Sequence, residues 1–247
     1  SSAASDVYKR QTYDPTLHVE DCTVDAAYNV VYDSHNTQNF KSVYFGNSIV
    51  KMTVANKPFY STKSKGAYTQ QSIRLENNVF YAETPLQNYL INCGDRSQAF
   101  QTTRLQVEVT NNTIYNIYQP NIMIRAYVLA GLTVTKNVGY YTGVTAKNYL
   151  TGVYDTAGFT ADKAEVTYNY LYTAPVSDTN FWSAKHTGSY TPANNQMGDG
   201  VEAPFSSMDA AKGYFPVDAS VVKTGAGATY DTKAWFKPEL LLSLIHI

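Results

Sequence analysis

Charge is what this chain has least of. Only 16% of its 247 residues are Asp, Glu, Lys or Arg, and the formal net charge is −1. A disordered acidic or basic chain needs more charge and fewer aromatics than the 14% present here. Without a positive excess there is no electrostatic footprint for nucleic acid. Two cysteines exclude a disulfide-dense miniprotein. No apolar run approaches the roughly 18 residues that a membrane helix requires. The length fits one large all-β domain or two smaller ones.

Tyrosine is abundant, at 22 copies, and so is self-similarity. Six segments share one pattern: Leu17–Cys22, Val43–Ser48, Ile73–Asn78, Val107–Asn112, Leu132–Asn137 and Ala164–Asn169. In each, the first and third residues are apolar and the second and fourth mostly polar, the period of a strand with one buried face. The sixth position reads Cys22, Ser48, Asn78, Asn112, Asn137, Asn169, and successive copies lie 26, 30, 34, 25 and 32 residues apart. Unequal spacing argues against a propeller or helical solenoid. It suits a single-stranded right-handed parallel β-helix, where insertions leave as corner loops. Six coils are expected, about 29 Å of stack at ~4.8 Å per coil.

In such a stack an inward Asn at a bend can donate to one neighbouring coil and accept from the other, forming a ladder. Cys22 is expected as a small ladder member and Cys93 as a core thiol; a Cys22–Cys93 disulfide is the rival reading. Further strands are placed near Tyr28–Tyr32, Phe59–Thr62, Asn88–Cys93, Ile122–Val128, Asn148–Val153 and Asn180–Ala184. The coils run from residue 12 to 191. From Pro192 to residue 241 the pattern gives way to a loop-rich cap, with a short helix expected over Ser207–Tyr214. Its expected role is to cover an open end of the β-helix.

Both termini read as something other than natural protein. Ser1–Gln11 (SSAASDVYKRQ) and Leu242–Ile247 (LSLIHI) match the two strands of one sequencing adapter: codons for Asp6–Gln11, read on the opposite strand, spell Leu-Ser-Leu-Ile-His-Ile. Residues 1–11 and 242–247 are set aside as adapter-derived. The remainder is then expected to be an interior piece of a longer protein with further domains upstream.

The coil pattern, together with Phe205–Phe215 (FSSMDAAKGYF) and Gly225–Trp235 (GAGATYDTKAW) in the tail, resembles pectin-lyase-fold domains of gut-bacterial surface lipoproteins. Those domains belong to polysaccharide-utilisation systems and are of unknown function. The resemblance implies a right-handed parallel β-helix, an extracellular or cell-surface location and a polysaccharide or oligosaccharide partner. It supplies no established catalytic residues.

Candidate chemistry follows from the columns. Three residues after the ladder stand Asp25, Lys51, Tyr81, Tyr115, Tyr140 and Tyr172. Alternation turns this column outward, so the four tyrosines would form an aromatic strip on which pyranose rings could stack. The plainer reading is that they only support adjacent strands. Arg74 and Glu108 share an outward column, as a cross-strand ion pair or as a contact to a sugar acid through Arg74. Trp182, in Asn180–His186, lines a groove or packs. Lyases on this fold use a basic side chain with acidic residues around Ca²⁺; here Arg125 is the candidate base, with Asp95 and Arg96 nearby. Asp155, Asp162 and Asp178 are scattered, and no close Asp pair supports a hydrolase. His35 and His186 lack metal-ligand spacing, and Gly225-Ala-Gly227 is too short for a phosphate loop. No metal site and no cofactor are expected, Ca²⁺ entering only with the lyase alternative. The function expected is polysaccharide binding without catalysis. The alternatives are a polysaccharide lyase or related enzyme, and a structural stalk or adhesin-like module.

Overall fold

The computed structural model describes residues 16–26, 31–33, 40–62, 72–93, 105–119, 122–126, 129–142, 149–153, 163–172, 181–182 and 192–230. Each winding turns through three strands. The first has β1 (Thr16–Glu20), β2 (Thr23–Ala26) and β3 (Val31–Asp33), and the second β4 (Ser42–Gly46), β5 (Ile49–Met52) and β6 (Tyr60–Thr62). The third has β7 (Ser72–Glu76), β8 (Val79–Gln87) and β9 (Ile91–Cys93). The fourth has β10 (Leu105–Thr110), β11 (Thr113–Tyr118) and β12 (Ile122–Ala126). The fifth has β13 (Leu129–Thr135), β14 (Val138–Tyr140) and β15 (Tyr149–Val153). β16 (Ala164–Thr167), β17 (Tyr170–Tyr172) and β18 (Gln196–Gly198) follow.

Like strands stack on like. A six-stranded sheet runs β1-β4-β7-β10-β13-β16, a seven-stranded sheet runs from β2 to β18, and a five-stranded sheet runs from β3 to β15. Leu17, Val43, Ile73, Val107, Leu132 and Ala164 are in direct register. This is a right-handed parallel β-helix, as the repeat predicted. The number of windings differs slightly from six. Five supply a strand to every sheet, the sixth closes its third side through a bridge from Trp182 to Thr151, and a seventh begins at Ala193.

Inward residues from the three sheets form one continuous core, including Phe45, Leu75, Val109, Ile114, Val134, Leu171 and Met123. Phe45, Phe59 and Phe80 meet edge to face, at 4.9 and 4.7 Å between ring centres, the geometry that ring quadrupoles favour.

The ladder is continuous. The N–H of Cys22 donates to Ser48 Oγ at 3.0 Å, and the N–H of Ser48 to Asn78 Oδ1 at 3.0 Å. The N–H groups of Asn78, Asn112 and Asn137 each donate to the next Asn Oδ1, at 2.9, 3.0 and 2.9 Å. Asn169 then donates to Asn195, a member that the sequence pattern missed. Every Asn Nδ2 also reaches back to a strand carbonyl of the preceding winding, such as Phe45 O from Asn78 at 2.8 Å. Buried amides are thereby satisfied on both sides. Cys22 is a free thiol, half-buried rather than buried, and not in a disulfide.

The residue before each ladder position makes the bend between the first and second sheets. Asp21, Asn47, Asn77, Asn111, Lys136, Tyr168 and Asn194 all hold φ between 47° and 57°. Asn and Asp tolerate this left-handed conformation better than other side chains. That explains a second Asn-rich column beside the first.

Beyond β18 the structure departs from expectation. Asp209 and Tyr214 exchange backbone hydrogen bonds at 2.9 and 3.0 Å, so Ser207–Tyr214 is a tight antiparallel turn, not a helix. The Asp209 carboxylate accepts from the Lys212 N–H at 3.2 Å, and Gly213 takes φ +63°. Side-chain capping and a left-handed glycine close the turn before a helix can propagate. Residues 201–230 make their described contacts along the side of the stack. They run back along the stack as a strap over the outer face of the seven-stranded sheet.

Candidate functional site

The tyrosine column faces outward, as alternation required. Tyr81, Tyr115, Tyr140 and Tyr172 are in direct register. Tyr115 stacks on Tyr140 at 5.3 Å and 13°, and Tyr140 meets Tyr172 at 4.5 Å. Yet Tyr81, Tyr115 and Tyr140 are only 5–8% exposed. Phe215 of the strap lies on Tyr115 at 4.0 Å and against Tyr81 at 5.9 Å, while Phe205 meets Tyr140 edge-on at 5.5 Å. The open platform expected from the sequence is therefore a covered seam. The reason is visible two residues earlier in each strand. Ile49, Val79, Val138 and Tyr170 also face outward into this second apolar cluster. A sheet apolar on both faces must be covered on both.

The strap is fixed by hydrogen bonds as well as rings. Gly227 N–H donates to Lys136 O at 2.8 Å, Ala228 N–H to Thr113 Oγ1 at 3.0 Å, and Thr229 N–H to Asn77 Oδ1 at 2.7 Å. Gly213 comes so near that a Cβ there would lie 2.6 Å from the Tyr81 ring. The buried Tyr230 hydroxyl donates to Gly213 O at 3.2 Å and accepts from the Phe215 N–H at 2.9 Å.

Burial disfavours the phenolate and pushes the phenols of Tyr81, Tyr115 and Tyr140 up, with Tyr170 pushed up to about 12. The same cause raises Tyr141 in the core and Tyr230 in the strap. A raised folded-state value means the unfolded chain loses its proton first. Their contribution is complete below the ordinary tyrosine value and is lost as pH climbs above it. The unfolding free energy from urea titrations should stay level up to about pH 9, then fall by as much as ~1.4 kcal/mol per pH unit for each phenol still protonated only in the fold. Tyrosinate absorbance followed beside the midpoint checks this; unchanged stability through about pH 12 would contradict it.

Arg125 meets an aromatic neighbour among the described residues. It lies on β12 between Asn92 and Gly152 of the neighbouring strands. Its guanidinium donates to Tyr89 Oη at 2.6 Å and stands 4.5 Å from that ring's centre. Asp95 and Arg96 lie outside the described residues, as do Asp155, Asp162, Asp178, His35 and His186. Among the described residues no three His, Cys, Asp or Glu side chains gather as a metal site. Trp182 is 4% exposed and packs in the interior core.

One polar cleft opens where the strap meets the outer face of the six-stranded sheet. Its volume is about 300 Å³, lined by Tyr44, Asn47, Glu76, Asn77, Asn111 and Thr229. Three of these are the left-handed bend residues, whose side chains project outward. Asn47 Nδ2 donates to Glu20 Oε1 at 2.7 Å, and Asn77 Nδ2 to Asn47 Oδ1 at 2.8 Å. Arg74 behaves as the ion-pair reading predicted: it lies 2.7 Å from Glu76 and 3.6 Å from Glu108. Tyr44 leans along its strand over Gly46, where a Cβ would collide with its hydroxyl. His18 lies on one side of the ring at 4.6 Å and Arg74 at 5.8 Å from its centre. With neighbours on both sides, Tyr44 offers the cleft its hydroxyl edge. Burial raises that phenol first, Glu76 and Glu20 raise it further, and Arg74 opposes them.

The sequence reading named Arg74 of this group and missed Tyr44, Asn47, Asn77 and Asn111. The signal was present as the fifth position of the repeat, which alternation alone could not assign to a bend. Among the described residues no helix is long and apolar enough to cross a membrane. Compared with family models, curated proteins and solved structures, the chain matches none.

Proposed function

We propose that this chain is a non-catalytic, polysaccharide-binding β-helix of an extracellular or cell-surface protein. The glycan contact assigned to it is the polar cleft at Tyr44, not the tyrosine seam. Support for the wider context comes from the coil and tail motifs, which resemble domains of surface lipoproteins in polysaccharide-utilisation systems. The observation that carries the reading is the cleft itself. It sets a phenol hydroxyl, a carboxylate and a row of side-chain amides on a rigid sheet, and such groups match the alternating donors and acceptors of sugar hydroxyls.

Gly46→Ala tests it from beneath the cleft. The backbone at Gly46 is not in the left-handed region, and the added methyl overlaps Oη, Cζ and Cε1 of Tyr44, so the whole ring has to move aside. Across a panel of plant and host polysaccharides, the unaltered chain should be retained by at least one. Gly46→Ala and Asn111→Ala should each weaken that retention about tenfold, the scale of one lost hydrogen bond or two. Retention by no glycan, or retention indifferent to both variants, would remove the proposal. The same panel scored for unsaturated product ends separates binding from lyase activity. The stalk reading has its own support in the ladder, which stiffens the stack, and it stands if nothing is retained.

A further inference from the structure

We infer that the cleft selects its glycan by charge, admitting neutral or amino sugars and turning uronates away. The inference rests on the reading of the cleft as the glycan contact. It begins with Arg74, the cation on this face that would otherwise attract a sugar acid. The guanidinium is held 2.7 Å from one carboxylate, Glu76, and 3.6 Å from another, Glu108. A uronate arriving there meets a guanidinium whose charge is already shared between two carboxylates.

The rest of the surround is acidic. Glu76 lines the cleft. Glu20 is hydrogen-bonded to Asn47 in its wall, and Asp21 occupies the bend position one winding from Asn47. Against Glu20, Asp21, Glu76 and Glu108 stand Arg74 and, beyond Asn111 in the bend column, the exposed Lys136. With His18 beside Glu20 at 3.4 Å, the formal balance among these described residues is negative while the imidazole is neutral. These carboxylates are felt at the ligand-facing hydroxyl: Glu76, Glu20 and Asp21 all act on the Tyr44 phenol in the direction of retained protonation. At short range an excess of like charge is the stronger discriminator, because an uncharged sugar meets no repulsion from it.

The test uses three oligosaccharides of equal length: one of glucose, one of glucosamine and one of galacturonate. Affinities are measured calorimetrically at low and at high salt. The glucose or the glucosamine oligomer should bind at least about tenfold more tightly than galacturonate at low salt, and the gap should shrink at high salt. Glu108→Gln frees one side of Arg74 without touching the cleft lining. It should improve galacturonate binding about fivefold or more while glucose binding stays within about twofold. Equal or tighter binding of galacturonate by the unaltered chain would overturn the charge selection and leave the cleft as a glycan site. Binding of none of the three would overturn both. A galacturonate affinity indifferent to Glu108→Gln would show that Arg74 is not what the carboxylates neutralise.

Discussion

Asn112→Ala should lower stability by about 3–5 kcal/mol, close to the whole reserve of a marginal domain. Asn112 is fully buried at the middle of the ladder. Its Oδ1 accepts from the N–H and the Nδ2 of Asn78, at 2.9 and 3.1 Å. Its Nδ2 reaches Leu75 O, Thr110 O and Asn137 Oδ1 at 3.1, 3.0 and 3.0 Å. Truncation leaves the buried Asn78 N–H without its acceptor and takes one hydrogen bond each from Asn78 Nδ2, Leu75 O, Thr110 O and Asn137 Oδ1, all in a fully buried site. The unmet desolvation, more than the lost bonds, sets the size of the effect. Cys22→Ala gives the contrast. Cys22 is half-buried, and its rung is made by its own backbone N–H to Ser48 Oγ, which alanine keeps. Its cost should stay below about 1 kcal/mol. Urea midpoints for both variants decide the matter; equal losses would mean that the ladder is decoration on a stack held by its apolar core.

The second large effect belongs to the strap. Phe215 is fully buried, stacked on Tyr115 and in contact with Phe205. Phe215→Ala should cost about 3–5 kcal/mol, the usual range for emptying a buried aromatic site. The loss should be local. Hydrogen exchange should show protection falling over residues 201–230 while the amides of Asn78, Asn112 and Asn137 keep theirs. Simultaneous loss in strap and ladder would show one cooperative unit instead. The variant also uncovers Tyr81 and Tyr115. Should glycan retention rise when the seam is bared, the tyrosine column has a sugar affinity of its own that the strap conceals.

Much of this molecule is written locally. Two-residue alternation fixes which side chains enter each winding, and the sixth position announces its stacking partner because only a small polar group can satisfy that bend. The Arg74–Glu108 pairing and the outward turn of the tyrosines follow from the same arithmetic. Alternation separates inside from outside; it does not say whether outside means water. For the seven-stranded sheet the answer came from Phe205, Phe215 and Tyr230, distant in sequence and without a repeat to give them away. The cleft has the same origin: Thr229 meets Asn77 across 152 residues. Periodic strands declare their own faces through short-range chemistry, whereas the choice of which face a non-repeating segment covers is made only when the folded stack presents an apolar surface large enough to hold it.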